Sequence, residues 1–149
     1  MKPRVFPHRR IPTKGKSGDA NGWLVPIFNV HDRQIAPGQY PQQVYLTVAG
    51  PREIKGPHLH LQRWGLFTCI RGNGKIVVRE PEGYREYLTG EDHDFATIQV
   101  PAGYPAALQN LGDTEAYFLN MPAPAWHPED QDEHPVSFDG YVFTWPDRS

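Results

Sequence analysis

Turn-forming residues interrupt this chain so often that only short strands fit between them. Sixteen prolines and fourteen glycines are spread over 149 residues, and turn signals recur at roughly 8–12-residue spacing. Segments 43–49 and, in part, 95–100 alternate apolar and polar side chains, as half-buried strands do. No stretch before Pro122 has the apolar period of an amphipathic helix. The pattern predicts an all-β fold of the jelly-roll type.

The predicted organisation is one domain with two appendages. Residues 1–22 form a basic N-terminal arm, 23–121 the barrel, and 122–149 an irregular C-terminal tail that packs on the barrel. The runs 66–70 and 75–79 flank a glycine-rich turn and predict a β-hairpin. The predicted strands are 23–30, 43–49, 57–63, 65–71, 75–80, 84–89, 95–100, 106–111 and 115–121.

Charge and hydropathy exclude several classes of partner. A net charge of -2 and a pI near 6.4 argue against nucleic acid. No apolar run approaches the ~20 residues that span a bilayer, so we expect no membrane segment. Cys69 is the single cysteine, so an internal disulfide is impossible and a cytoplasmic location is expected.

Two histidines stand in the segment KGPHLHLQ, residues 55–62. Side chains alternate across a strand, so His58, His60 and Gln62 are expected on one face. Polar groups on the inner face of a small barrel are costly unless they line a site. The segment therefore predicts a ligand-binding pocket.

Residues 56–110 resemble the cupins, small barrels with a double-stranded β-helix fold. Gly72 matches the glycine that ends their first motif, and residues 101–103 match their Pro-x-Gly motif. Metal cupins also use a glutamate and a third histidine, but this chain has Gly65 and Ala106 at those positions. Two imidazoles rarely hold a catalytic ion, so we expect no metal cofactor. A metal cupin with an irregular ligand set remains an alternative.

The closer resemblance is to metal-free cupins that act on nucleotide sugars. Residues 55–62 are similar to the segment that carries the base in dTDP-4-dehydrorhamnose 3,5-epimerases and to its counterpart in dTDP-sugar 3,4-ketoisomerases. Residues 98–104 and 126–133 resemble further epimerase motifs, so the likeness covers about 23–145. It implies an epimerase or isomerase that acts on a nucleotide-linked 4-keto-6-deoxy sugar.

That chemistry needs a base, an acid and a group that stabilises an enolate. The resemblance implies that the base is His58 or His60, and the sequence does not choose between them. The epimerase lysine, histidine and tyrosine fall at Gly65, Ala106 and near Trp126, so the usual assembly is incomplete. Tyr45 is the candidate acid, with a cross-strand aromatic role as the alternative.

Other residues are candidates for holding the ligand. Basic side chains suit a diphosphate, aromatic rings suit a nucleobase, and amides suit sugar hydroxyls. Glu133 and His134 are more simply explained as solvated residues of an acidic tail. The substrate-binding candidates are Lys55, Gln62, Arg63, Arg71, Tyr104, Asn120 and Trp126.

Two further expectations concern activity and assembly. The missing epimerase residues leave open a cupin that binds a nucleotide sugar or another carbohydrate without turnover. The basic arm and exposed sheet edges favour a homodimer with exchanged strands, as in related cupins.

Overall fold

A computed structural model describes residues 1–31 and 40–147, so parts of the predicted barrel (32–39) and tail (148–149) lie outside it. The described residues form strands and no α-helix, and therefore no helix long and apolar enough to cross a membrane. The strands are β1 (Arg4–Phe6), β2 (Ile11–Lys14), β3 (Ala20–Leu24), β4 (Tyr45–Ala49), β5 (Ile54–Leu59), β6 (Gly65–Arg71), β7 (Asn73–Glu80), β8 (Gly83–Gly90), β9 (Thr97–Val100), β10 (Ala106–Asn110), β11 (Ala116–Asn120) and β12 (His134–Pro135).

Two five-stranded antiparallel sheets face each other. The first has the order β1-β9-β6-β11-β4, and the second has the order β12-β5-β10-β7-β8. Their facing sides bury one apolar core, to which the first sheet contributes Ile98 and Phe118 and the second Ile76 and Val78. The central strands are buried on both faces, since Val77 is as fully buried as its neighbours Ile76 and Val78. The all-β jelly-roll prediction is confirmed.

The predicted hairpin around Gly72 is wrong. β6 pairs with β9 and β11 in one sheet, whereas β7 pairs with β8 and β10 in the other. Gly72 has a φ of 79°, which redirects the chain at the corner. A Cβ on Gly74 would overlap the Phe118 ring, so glycine is required where the chain passes from the first sheet to the second. The hairpin in this region is β7–β8 instead.

The N-terminal arm pairs within its own chain. β1 lies antiparallel to β9 and extends the first sheet. β2 and β3 form a separate two-stranded hairpin whose Ile11, Trp23 and Leu24 are exposed. The strand predicted at 23–30 is therefore displaced to Ala20–Leu24 and pairs with the arm rather than with the barrel.

The C-terminal tail lies across the outer side of the second sheet. Gln109 donates to the carbonyl of Thr144 at 2.7 Å, and Arg79 donates to that of Ser137 at 3.0 Å. Earlier in the tail, β12 pairs with β5, so His134 stands opposite Leu59. This pairing brings the acidic part of the tail to the segment that carries the two histidines.

Candidate active site

A cavity of about 440 Å³ opens between the two sheets. Strands β4, β6, β9 and β11 line it from one sheet, β5 and β10 from the other, and the tail closes one side. Eight of the ten predicted site residues line this cavity: Tyr45, Lys55, His58, His60, Arg63, Tyr104, Asn120 and Trp126.

A bulge in β5 directs two of these side chains into the cavity. His58 pairs with Ala106 and Lys55 with Leu108, so β5 has one more residue than β10 between the two pairs. Gly56 has a φ of 93° at this point, and a Cβ there would lie 3.1 Å from the Ala106 carbonyl oxygen. The extra residue explains why Lys55 and His58, three positions apart, both face the cavity.

His58 is paired with a carboxylate that the sequence interpretation assigned to solvent. Its Nδ1 lies 3.0 Å from Oε1 of Glu133, and both residues line the cavity. A carboxylate at Nδ1 favours the tautomer in which Nδ1 carries the proton and Nε2 has the free electron pair. Glu133 was missed because it is brought to His58 only by the pairing of β12 with β5.

His60 and Gln62 both lie beyond the end of β5 at Leu59. His60 still lines the cavity, and burial, reinforced by the nearby Arg63 guanidinium, lowers its pKa. Gln62 is exposed and does not line the cavity. The expectation that three side chains share one face therefore holds for His58 and His60 and is wrong for Gln62.

Asp132 holds the turn that follows β5. Its carboxylate accepts the backbone N–H groups of Leu61, Gln62 and Arg63 at 2.9, 2.9 and 2.8 Å. Burial opposes ionisation, but these hydrogen bonds keep the pKa of Asp132 below its ordinary value. The anchored turn fixes Arg63, which is 8% exposed, lines the cavity and donates to the Gln131 carbonyl at 3.2 Å.

Tyr45 and Asn120 are directly opposite each other on β4 and β11. The amide nitrogen of Asn120 donates to the Tyr45 hydroxyl at 2.8 Å, and its oxygen accepts the N–H of Leu66 at 3.1 Å. A Cβ on Gly65 would lie 2.8 Å from that amide oxygen. Asn120 is thus held by the protein rather than left free for a sugar.

Cationic and aromatic groups complete the walls. Lys55 donates to the Thr47 hydroxyl at 2.7 Å and so bridges the two sheets beside the cavity. Tyr104 and Trp126 lie where we expected them, and Trp126 is 42% exposed. Lining residues that the sequence interpretation did not single out include Gln43, Trp64, Phe67 and Glu133.

Arg71 lies outside the cavity. It is exposed at the end of β6, and its guanidinium stacks over the Tyr117 ring at 5.2 Å. Among residues 1–31 and 40–147, no group of three histidine, cysteine, aspartate or glutamate side chains is arranged to hold a metal ion.

Comparison with known proteins identifies a family and several similar folds. Residues 19–134, or 116 of the 149, match the family described as the polysaccharide biosynthesis C-terminal domain. The comparison with curated proteins found no match.

Solved structures have the same fold. A dTDP sugar isomerase from Desulfovibrio desulfuricans G20 is 18% identical, with a TM-score of 0.74 over 93% of this chain and 85% of the other. dTDP-4-dehydrorhamnose 3,5-epimerase from Bacillus anthracis str. Ames, with TDP and PPi bound, is 14% identical, with a TM-score of 0.75 over 99% and 86%. These likenesses confirm the epimerase-like cupin fold.

The capsular polysaccharide assembling protein CapF from Staphylococcus aureus is similar over a shorter region. It is 26% identical over 63% of this chain, with a TM-score of 0.57. The matched region makes up only 28% of the CapF chain.

Proposed function

This chain belongs to the polysaccharide biosynthesis C-terminal domain family, and we propose that it is an epimerase or isomerase acting on a nucleotide-linked 4-keto-6-deoxy sugar. The observation that carries the proposal is the His58–Glu133 pair at 3.0 Å in a cavity that also holds hydrogen-bond donors. The names of the two dTDP-sugar enzymes with the same fold support this class of substrate. No cofactor is part of the proposed mechanism.

His58 is the proposed base. Glu133 holds the Nδ1 side of the ring, which leaves Nε2 as the atom that can take a proton, and it stabilises the imidazolium that then forms. His60 has no equivalent partner among the hydrogen bonds and ion pairs of the described residues, and burial lowers its pKa. A neutral His60 is better suited to hydrogen bonding with the substrate than to accepting its proton.

Tyr45 is the proposed donor to the substrate carbonyl. When His58 removes a proton next to the ketone, the C–H electron pair forms a C=C bond and the carbonyl pair moves to oxygen. The resulting enolate needs a donor held in place beforehand, and the Tyr45 hydroxyl lines the same cavity. A solvent proton returned to the same carbon from the other face, with collapse of the enolate to the ketone, gives an epimer. For the isomeric ketone, the enolate oxygen takes a proton, a proton is added at the former carbonyl carbon, and the hydroxyl on the carbon that His58 deprotonated loses its proton and becomes the new carbonyl.

Arg63 and Lys55 are the proposed contacts for the diphosphate. A guanidinium offers two parallel N–H groups to phosphate oxygens, and Arg63 is held rigidly by the turn that Asp132 anchors. Tyr104 and Trp126 are the proposed stacking surfaces for the base. Gln62 and Arg71 are not included, since both lie outside the cavity.

A binding protein without turnover is the second candidate. Gly65 and Ala106 line the cavity at the two positions where the epimerases resembled by this chain have lysine and histidine. In our proposal the Tyr45 hydroxyl supplies the donor to the developing oxyanion, whereas in the binding-only alternative no group does.

Product analysis separates the two candidates. Purified protein is incubated with dTDP-4-keto-6-deoxyglucose, and the sugar is identified by proton NMR. We expect a 3- or 5-epimer or the 3-keto isomer, formed by the wild type and not by the His58→Asn, His60→Asn double variant. Glu129→Gln, an exposed change in the same tail, serves as the matched control. Binding measured by calorimetry without any product would refute catalysis and favour the second candidate.

We also propose that the protein is a cytoplasmic homodimer. The β2–β3 hairpin contacts the barrel through the Trp23 and Phe95 rings at 5.7 Å, yet it leaves Ile11, Trp23 and Leu24 about half exposed. A second copy that covers this hairpin accounts for the exposed apolar area. Light scattering should give twice the chain mass, and a monomer at micromolar concentration would contradict the proposal.

A further inference from the structure

The amide of Asn120 has a fixed orientation. A backbone N–H can only donate, so the atom that contacts Leu66 must be the amide oxygen, and the nitrogen must face Tyr45. Asn120 is 2% exposed, which leaves its amide little freedom to turn. The hydrogen bond to Tyr45 therefore runs from Asn120 to the phenol oxygen.

This direction determines what the Tyr45 hydroxyl can do. Its oxygen already accepts a hydrogen bond from Asn120, and its own hydrogen is not used in that contact. The side chain lines the cavity, and among the described residues the hydroxyl hydrogen has no protein acceptor, so it is available to a bound ligand. We infer that Asn120 is a positioning residue that makes the Tyr45 hydroxyl a hydrogen-bond donor aimed into the cavity. The inference rests on the proposed function, in which that acceptor is the enolate oxygen.

Gly65 makes room for this arrangement. A Cβ at this position would lie 2.8 Å from the Asn120 amide oxygen and 2.7 Å from the Phe67 ring. Any side chain on β6 here would displace the amide that orients Tyr45. Residue 65 therefore cannot carry a charged side chain without disturbing Asn120. The hydrogen-bond donor comes instead from Tyr45 on β4, directly opposite Asn120 in the sheet.

Asn120→Asp reverses the hydrogen bond while keeping the size of the side chain. The introduced carboxylate still accepts the Leu66 N–H, but it must accept the Tyr45 hydrogen as well. We expect kcat to fall about 10- to 100-fold with KM little changed. Activity should recover partly as the pH falls and the introduced carboxyl gains a proton that it can donate to Tyr45.

A double-mutant cycle distinguishes positioning from a structural role. In a Tyr45→Phe background, Asn120→Asp should cost nothing further in kcat, because it acts through the missing hydroxyl. Asn120→Leu, which removes the donor without adding a charge, is the second variant if Asn120→Asp folds poorly. An equal loss of kcat in both backgrounds would overturn the inference.

A spectroscopic readout keeps this test independent of the proposed reaction. In protein with ¹³C-labelled tyrosine, the Cζ resonance of Tyr45, assigned with Tyr45→Phe, should move downfield in Asn120→Asp, because the hydroxyl then donates to a carboxylate. An unmoved resonance would overturn the positioning role even if turnover is observed. A moved resonance in a protein that never turns over dTDP-4-keto-6-deoxyglucose would uphold the positioning role and refute the proposed function.

Discussion

Replacing Asp132 by asparagine tests how the tail is attached to the active-site turn. The carboxylate side chain is 9% exposed and accepts three backbone N–H groups, one at Oδ1 and two at Oδ2. Asparagine keeps the size but has one oxygen. If that oxygen takes the place of Oδ2, the amide nitrogen faces the N–H of Leu61, and two donors are opposed.

The cost follows from these contacts. One hydrogen bond to a charged group is lost and two become neutral, which together should destabilise the fold by about 2–3 kcal/mol. For a chain of this length, that corresponds to a fall in Tm of roughly 4–12 °C. Asp130→Asn removes the same charge from an exposed position in the same tail and should change stability by less than about 0.5 kcal/mol.

Urea unfolding at several pH values checks both the size and the cause. The folded-state pKa of Asp132 is lowered, so its ionised form stabilises the fold fully above its unfolded pKa of about 3.9. That contribution is lost as the pH falls through the folded value. The free energy of unfolding of Asp132→Asn should therefore lie below that of wild type by the full amount at neutral pH. This gap should shrink only in strong acid. Equal stability at pH 7 would refute the reasoning.

Other perturbations test separate parts of the site. Gly65→Ala should destabilise the fold by about 1–3 kcal/mol, measured by chemical denaturation, because its Cβ meets the Phe67 ring at 2.7 Å; unchanged stability would contradict that packing. The pKa of His60 is lowered by burial, so the unfolded state binds its proton first and stability falls as the pH drops below about 6.5. His60→Gln should flatten that slope in urea titrations, and an unchanged slope would contradict the assignment. Trp126→Ala should weaken dTDP binding by about 1–3 kcal/mol by calorimetry, whereas wild-type affinity would exclude stacking.

Local patterns and the family resemblance together predicted eight of the residues that line the cavity. The alternation along Tyr45–Ala49 and the spacing of His58 and His60 are set by neighbouring residues. The geometry that places alternate side chains on one face of a strand is general. Gln62 was misplaced because alternation was extended past the end of β5, where Asp132 draws the backbone into a turn.

Contacts between residues far apart in the sequence could not be predicted from local patterns. Glu133 reaches His58 because a two-residue strand in the tail pairs with β5, and no spacing in the sequence encodes that contact. The glycine-rich turn after β6 favours either a hairpin or a corner between sheets. The corner forms because β6 and β7 pair with different strands in the two sheets, and the Phe118 ring occupies the space that a side chain on Gly74 would need.

The most direct test of the account is solvent-proton exchange by single variants. Wild type, His58→Asn, His60→Asn and Glu133→Gln are incubated with dTDP-4-keto-6-deoxyglucose in deuterated water, and the loss of sugar C3 and C5 proton signals is followed by NMR. We predict that His58→Asn abolishes exchange, that Glu133→Gln slows it about 10- to 100-fold, and that His60→Asn retains measurable exchange. Exchange at the wild-type rate in His58→Asn would contradict the assignment of His58 as the base.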